Sequence, residues 1–176
     1  MSEVVRPAGP SDLAAIVALV TLARTSIVDA RGGLQLLADH PAPNDDDVAV
    51  ALEASAAADS ADDAVHASAD AVHADVEPAG VRPGPVVLIG EYEGVPVGIL
   101  AARLVGQIIR IDLVYVEPEF RELGLGDGLL AAAMETGRRR GALAVEATAL
   151  PGDRETKNLY ERAGVKARAI TVHRAL

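Results

Sequence analysis

The stretch from Ile108 to Arg140 constrains this chain more than any other. It opens on an apolar run, Ile108-Ile109-Arg110-Ile111-Asp112-Leu113-Val114-Tyr115-Val116, and turns at Glu117-Pro118. It continues through Glu119-Phe120-Arg121-Glu122-Leu123-Gly124-Leu125-Gly126 until a helical pattern starts at Asp127. Physically, a strand empties into a loop whose amides stand at a helix N-terminus. Such a place draws anions, because orphan N–H groups and the positive end of the helix dipole converge there. Leu125, Leu129, Leu130, Ala133 and Met134 mark the buried face of the helix. Arg138-Arg139-Arg140 puts positive charge on its last turn, and Gly141 stops it.

The remaining elements order themselves around this unit. Val4 to Pro7 reads as a short strand closed by proline. Ser11-Asp12 supplies an N-cap, and Leu13, Ile16, Val17, Leu19, Val20 and Ala23 recur at helical spacing to about Asp29. Gly32-Gly33 stops that helix, and Leu34 to Leu37 opens a second, short one. Val86 to Tyr92, Val97 to Leu104 and the strand from Ile108 are joined by turns at Glu93-Gly94 and Gly106-Gln107, which predicts an antiparallel meander. Leu143 to Leu150 follows the long helix and is therefore expected parallel to the strand before it. Asp153 caps a helix through Ala163, Gly164 ends it, and Val165 to Arg174 alternates as one last strand. The expectation is a single α/β domain over residues 1–176 with a mixed, mostly antiparallel sheet.

Residues 39–85 differ in kind. They carry eleven acids and one base, so the whole net charge of −10 resides there. Pro41 and Pro43 precede Asn44-Asp45-Asp46-Asp47, and an Ala/Asp-rich tract follows, with a small duplication at Asp63-Ala64-Val65-His66 and Asp70-Ala71-Val72-His73. Alanine favours helix, and three aspartates suit its N-terminus. A surface helix or partly disordered insertion is the plain reading. An acidic lid that attracts a cationic substrate is the sharper one. His66 and His73 stand about two turns, ~10 Å, apart on one helix, so no metal site is expected from them.

Composition excludes several classes. The absence of cysteine removes disulfides, thiolate metal sites and a cysteine nucleophile. One Phe, three Tyr and no Trp cannot furnish a base-stacking surface, and an acidic chain argues against nucleic acid as partner. No run approaches the roughly 18 apolar residues of a membrane span, and the N-terminus lacks a signal-peptide core, so a cytoplasmic protein without membrane contact is expected.

A lone Gly-x-Gly is weak evidence. Here the third glycine is Gly128, one residue too early for the dinucleotide pattern, and no Lys-Ser/Thr follows as in a triphosphate loop. The context is more telling. Val116 to Gly126 resembles the acyl-coenzyme A signature of the GNAT acetyltransferase superfamily, Arg/Gln-x-x-Gly-x-Gly/Ala opening a helix. Asn158-Leu159-Tyr160-Glu161-Arg162-Ala163-Gly164-Val165 is similar to that family's Tyr-x-x-x-Gly-Phe helix end. The likeness covers about residues 86–176 and the strand–helix at 4–29, and leaves 39–85 without a counterpart.

The resemblance implies a GNAT-type sheet with a splayed central parallel pair, and acetyl-coenzyme A as co-substrate without a metal. Backbone amides of Glu122, Leu123, Gly124, Leu125, Gly126 and Asp127 would hold the pyrophosphate, with Arg121 close to the phosphates. The pantetheine arm would lie between Val114-Tyr115-Val116 and residues 143–149. Asp153, Thr156, Lys157 and Tyr160 share one helical stripe. Asp153 and Lys157 would border the coenzyme, and Tyr160 would protonate the departing thiolate. Asp153 stands where many members have Asn, so it serves chiefly as a cap. Some members place a glutamate where this chain has Arg110. For the base that frees the acceptor amine, Asp112 is the first candidate, Glu146 the second and Glu91 the third. The implied activity is direct acetyl transfer to the amine of a small molecule, protein or peptide, with a homodimer as a further expected association. Two rivals are a non-catalytic coenzyme-binding sensor and a protein-interaction adaptor using the acidic insert.

Overall fold

A computed structural model describes residues 2–39, 44–69 and 81–168. Five strands form one sheet in the order β1-β2-β3-β4-β5: β1 Glu3–Pro7, β2 Gly84–Tyr92, β3 Val95–Val105, β4 Ile108–Val116 and β5 Ala144–Ala147. All neighbours are antiparallel except β4 and β5, which are parallel. The meander and the parallel crossover are as the sequence predicts. That parallel pair forms one edge of the described sheet. Residues 165–168 carry no strand, and the remainder of the expected last strand lies outside the described residues.

The helices are α1 Leu13–Val28, α2 Gly33–Asp39, α3 Asp45–Ala69, α4 Leu125–Arg139 and α5 Arg154–Arg162. Alternation along each strand builds two cores. On one face Leu88, Leu100, Ala102, Leu104, Ile109 and Ile111 meet Leu125, Leu129, Leu130 and Ala133 of α4 and Leu159 and Tyr160 of α5. On the other, Val87, Ile89 and Ile99 meet Ile16 and Leu19 of α1 and Val48 and Leu52 of α3. At ~25 cal/mol per Å² of apolar surface removed from water, these two layers hold the fold.

Two expectations are corrected here. The first concerns the acidic segment. Asn44 and Asp47 cap α3 reciprocally: the Asp47 amide donates to Asn44 Oδ1 at 2.8 Å and the Asn44 amide to Asp47 Oδ2 at 3.2 Å. Val48, Leu52 and Ser55 then follow at i, i+4, i+7 and are buried. The Val87 amide donates to Ser55 Oγ at 3.2 Å, beyond the point where Pro7 ends β1. The first turns of this segment are core, not a surface addition. The side chain of His66, and all of His73, lie outside the described residues.

The second concerns apolar length. Pro10–Val28 forms a 19-residue helical run of mean hydropathy 1.6, long and apolar enough to span a membrane, where the sequence reading found no such run. Its Ile16, Leu19 and Ala23 are nevertheless buried, and Ile16 and Leu19 pack into the second core, as in a domain helix.

Candidate active site

The site begins with a defect in β4. Leu113 faces Ala101 and Ile111 faces Ala102 in the register with β3, so Asp112 is an extra residue, a β-bulge. It resets the alternation: Ile109 and Ile111 face α4 before it, Val114 and Val116 after it, while Leu113 and Tyr115 turn to the α1 side. Pairing with β5 runs only from Ile108↔Ala144 to Ile111↔Ala147. β5 is thus half the length expected from Leu143 to Leu150. Past the bulge the two parallel strands part, and a gap opens along Asp112 to Val116.

Hydrogen bonding shows which backbone groups line that gap. The Glu117 amide donates to the Val97 carbonyl at 2.9 Å, which makes 97 and 117 a bonded pair. Because such pairs alternate in an antiparallel ladder, Tyr115 also turns its amide and carbonyl to β3, while Val114 and Val116 turn theirs to the gap. Of the three residues expected to hold an extended arm, two present their backbone.

At the outer end of the gap the chain passes through a 3-10 turn, Pro118–Leu123, containing Glu122 and Leu123. Gly124 follows at φ 82°, ψ 0° as the N-cap of α4, which starts at Leu125, two residues before the expected start at Asp127. A Cβ there would meet nothing within 4 Å, so glycine is required by the left-handed backbone and not by crowding. The Gly128 amide donates to the Gly124 carbonyl at 2.9 Å, and the amides of Leu125, Gly126 and Asp127 occupy the first-turn positions that a helix cannot satisfy itself. A Cβ on Gly126 would touch Leu159, so α5 packs directly beneath this turn.

The side chains around the loop are tied together. Asp127 receives two hydrogen bonds from Arg162, at 3.0 and 2.9 Å. Arg121 donates through Nε to the gap-facing Val116 carbonyl at 3.0 Å and pairs with Glu155 of α5 at 2.6 Å. Its guanidinium lies 5.9 Å from the centre of the Tyr115 ring. Arg121 therefore spans the outer end of the gap. Arg162 and Glu155 are not evident from sequence, since both partners lie more than thirty residues away.

On α5, Asp153 caps the helix, its Oδ1 accepting from the Thr156 amide at 3.0 Å. Lys157 sits at the exposed rim, 3.4 Å from Glu161. Tyr160 is 7% exposed, inside the core shared with Val116 and Leu125. Its hydroxyl has no hydrogen-bond partner among the described residues. Burial, with a smaller contribution from the Asp153 charge, pushes the phenol up to about 12, so it stays protonated.

The three candidate bases part company. Asp112, at the bulge, is 3.1 Å from Arg103, and Glu146 is 3.1 Å from Arg110. Glu91 belongs to β2, two strands from β4, where Arg6 holds it at 2.6 Å. Only Asp112 lies at the inner end of the gap.

A sequence model of the acetyltransferase (GNAT) family matches residues 54–165. The match begins within α3, so part of the acidic segment does have a counterpart. No curated protein sequence is significantly similar. Among solved structures, the aminoglycoside acetyltransferase AAC(6')-Iy, in complex with a coenzyme A bisubstrate analogue, is 16% identical with a TM-score of 0.59, each chain covered completely. An aminoglycoside acetyltransferase from an uncultured soil metagenomic sample is 18% identical with a TM-score of 0.62, covering 100% of this chain and 99% of that one. The ribosomal-protein-alanine N-acetyltransferase of Brucella melitensis biovar Abortus 2308 is 12% identical with a TM-score of 0.63, again over both whole chains. At these identities the likeness is one of fold.

Proposed function

Because the chain belongs to the GNAT acetyltransferase family, we propose that it moves an acetyl group from acetyl-coenzyme A to an amine by direct transfer. The observation that carries this reading is the parting of β4 and β5 at Asp112. It leaves a gap with orphan amides at its mouth and a buried, protonated tyrosine in the adjoining core. The residues fit the co-substrate. In this reading the amides of Leu125 to Asp127 receive the pyrophosphate, with Arg121 beside it, and Val114 and Val116 pair with the pantetheine amides as a strand would. Since the strands rejoin at Ile111, the thioester lies level with Asp112.

The roles then follow from the two faces of the sheet. Tyr160 belongs to the core on the α4 side, whereas Asp112 pairs with Arg103, whose strand neighbour Ile99 faces α1. The amine comes from the α1 side, its nitrogen bonds the carbonyl carbon, and the C–S bond breaks. The spare amine proton leaves to Asp112 or to water, and Tyr160 donates a hydrogen bond to the departing thiolate from the opposite side, any proton it passes to the sulfur being replaced from solvent.

Thiol release with acetyl-coenzyme A and a panel of amines tests this. Amine-dependent release is expected, lowered by about 10²-fold in Tyr160→Phe. Tight coenzyme binding with no release for any amine would overturn the catalytic reading in favour of a coenzyme-binding module.

A further inference from the structure

Beside the inner end of the gap, on the sheet face opposite Tyr160, four charged side chains form a block. In the strand register Arg103 of β3 stands across from Arg110 of β4, and Arg110 across from Glu146 of β5. Asp112 pairs with Arg103 and Arg110 with Glu146, each at 3.1 Å, and every side chain keeps 41–53% of its surface exposed. Two arginines directly opposite each other repel, and the two carboxylates offset that repulsion. Exposed ion pairs of this kind contribute little by themselves, so an incoming charged group can take either partner at small cost.

We infer that this block selects the acceptor, and that the acceptor is a free α-amino acid, its amine at Asp112 and its carboxylate on Arg110. The inference rests on the acetyltransferase reading above. Asp112 is level with the thioester, and Arg110, two residues back, has its Cα about 7 Å away at ~3.3 Å per residue. A carboxylate one carbon from the amine falls within reach of an arginine side chain at that distance, and the planar guanidinium suits it. A polycation, by contrast, meets a wall of two arginines and two acids, which is neutral and offers it no net attraction.

The test compares kcat/KM for free amino acids with that for the amines lacking the carboxylate: leucine with 3-methylbutylamine, lysine with cadaverine, histidine with histamine. Rates are referred to the free-base concentration of each amine. The protein is expected to prefer the amino acids by about tenfold or more, since a charge-assisted bond is lost in the decarboxylated partner. That ratio is expected to fall to near one in Arg110→Gln and to be kept in part in Arg110→Lys, which retains the charge without the planar fork. A ratio near one in the unaltered protein, or one that Arg110→Gln leaves unchanged, would overturn the inference while the acetyltransferase reading stands. No thiol release with any amine would overturn both, a different result from release without preference.

Discussion

Arg162 clasps Asp127 through two hydrogen bonds of 3.0 and 2.9 Å, joining the last turn of α5 to the first turn of α4. The clasp links the turn that carries the first-turn amides to the helix that carries Tyr160. Both side chains are exposed, so the pair adds little to stability. Arg162→Ala is expected to leave the thermal midpoint close to that of the unaltered protein. Lost alignment between loop and phenol is expected to lower kcat by about tenfold or less. Unchanged kcat would show that the two helices hold their alignment without it.

Glu155 competes with any phosphate for Arg121, which it meets at 2.6 Å. Glu155→Gln is expected to tighten coenzyme A binding by roughly threefold, the scale of one exposed ion pair, and Arg121→Gln to weaken it. Titration calorimetry reads both. Weaker binding in Glu155→Gln would show that the pair holds the mouth in shape instead of occupying it.

Tyr160 makes stability depend on alkaline pH. Its folded pKa of about 12 lies above that of an unfolded phenol, so the contribution is fully present below pH ~10 and is lost as pH rises through the folded value. Between those values the unfolding free energy is expected to fall by roughly 1.4 kcal/mol per pH unit from this group. Tyr160→Phe removes that slope. Urea denaturation of both proteins at pH 9 to 11.5 measures it, and equal slopes would contradict the burial argument.

Ser55 and Leu52 decide whether α3 belongs to the fold. Ser55→Ala leaves the Val87 amide without its partner inside the protein and is expected to cost about 1–3 kcal/mol. Leu52→Ala, at a fully buried position, is expected to cost about 2–5 kcal/mol. Values within a few tenths of zero for both would restore the reading of a surface helix or partly disordered insertion.

Much of this architecture was legible because alternation and turn chemistry are local. The meander from Val86, the crossover after Arg140 and the Asp153 cap each rest on residues within a few positions of one another. The bulge at Asp112 was not legible: no glycine or proline marks it, and it arises from how β4 meets β3 and β5 at once. The same event shortens β5, since Thr148 to Leu150 have no strand left to pair with. In α3 an Ala/Asp-rich composition concealed a three-residue stripe, Val48, Leu52 and Ser55, whose value depends on β2 lying opposite. The glycine loop before α4 could be placed from local sequence, but the ion pairs of Arg121 and Arg162 join segments that only the folded sheet brings together.

The central claim is that the loop before α4 holds coenzyme A. Titration of coenzyme A into the unaltered protein and into Gly124→Val, with circular dichroism confirming equal folding, tests it most directly. A β-branched residue is strained at the φ of 82° found there, so the first-turn amides would lose their aim. The account predicts binding to the unaltered protein and at least about tenfold weaker binding to the variant, in keeping with the loss of one or more charge-assisted bonds. Equal affinity in the two, or no binding to either, would contradict it.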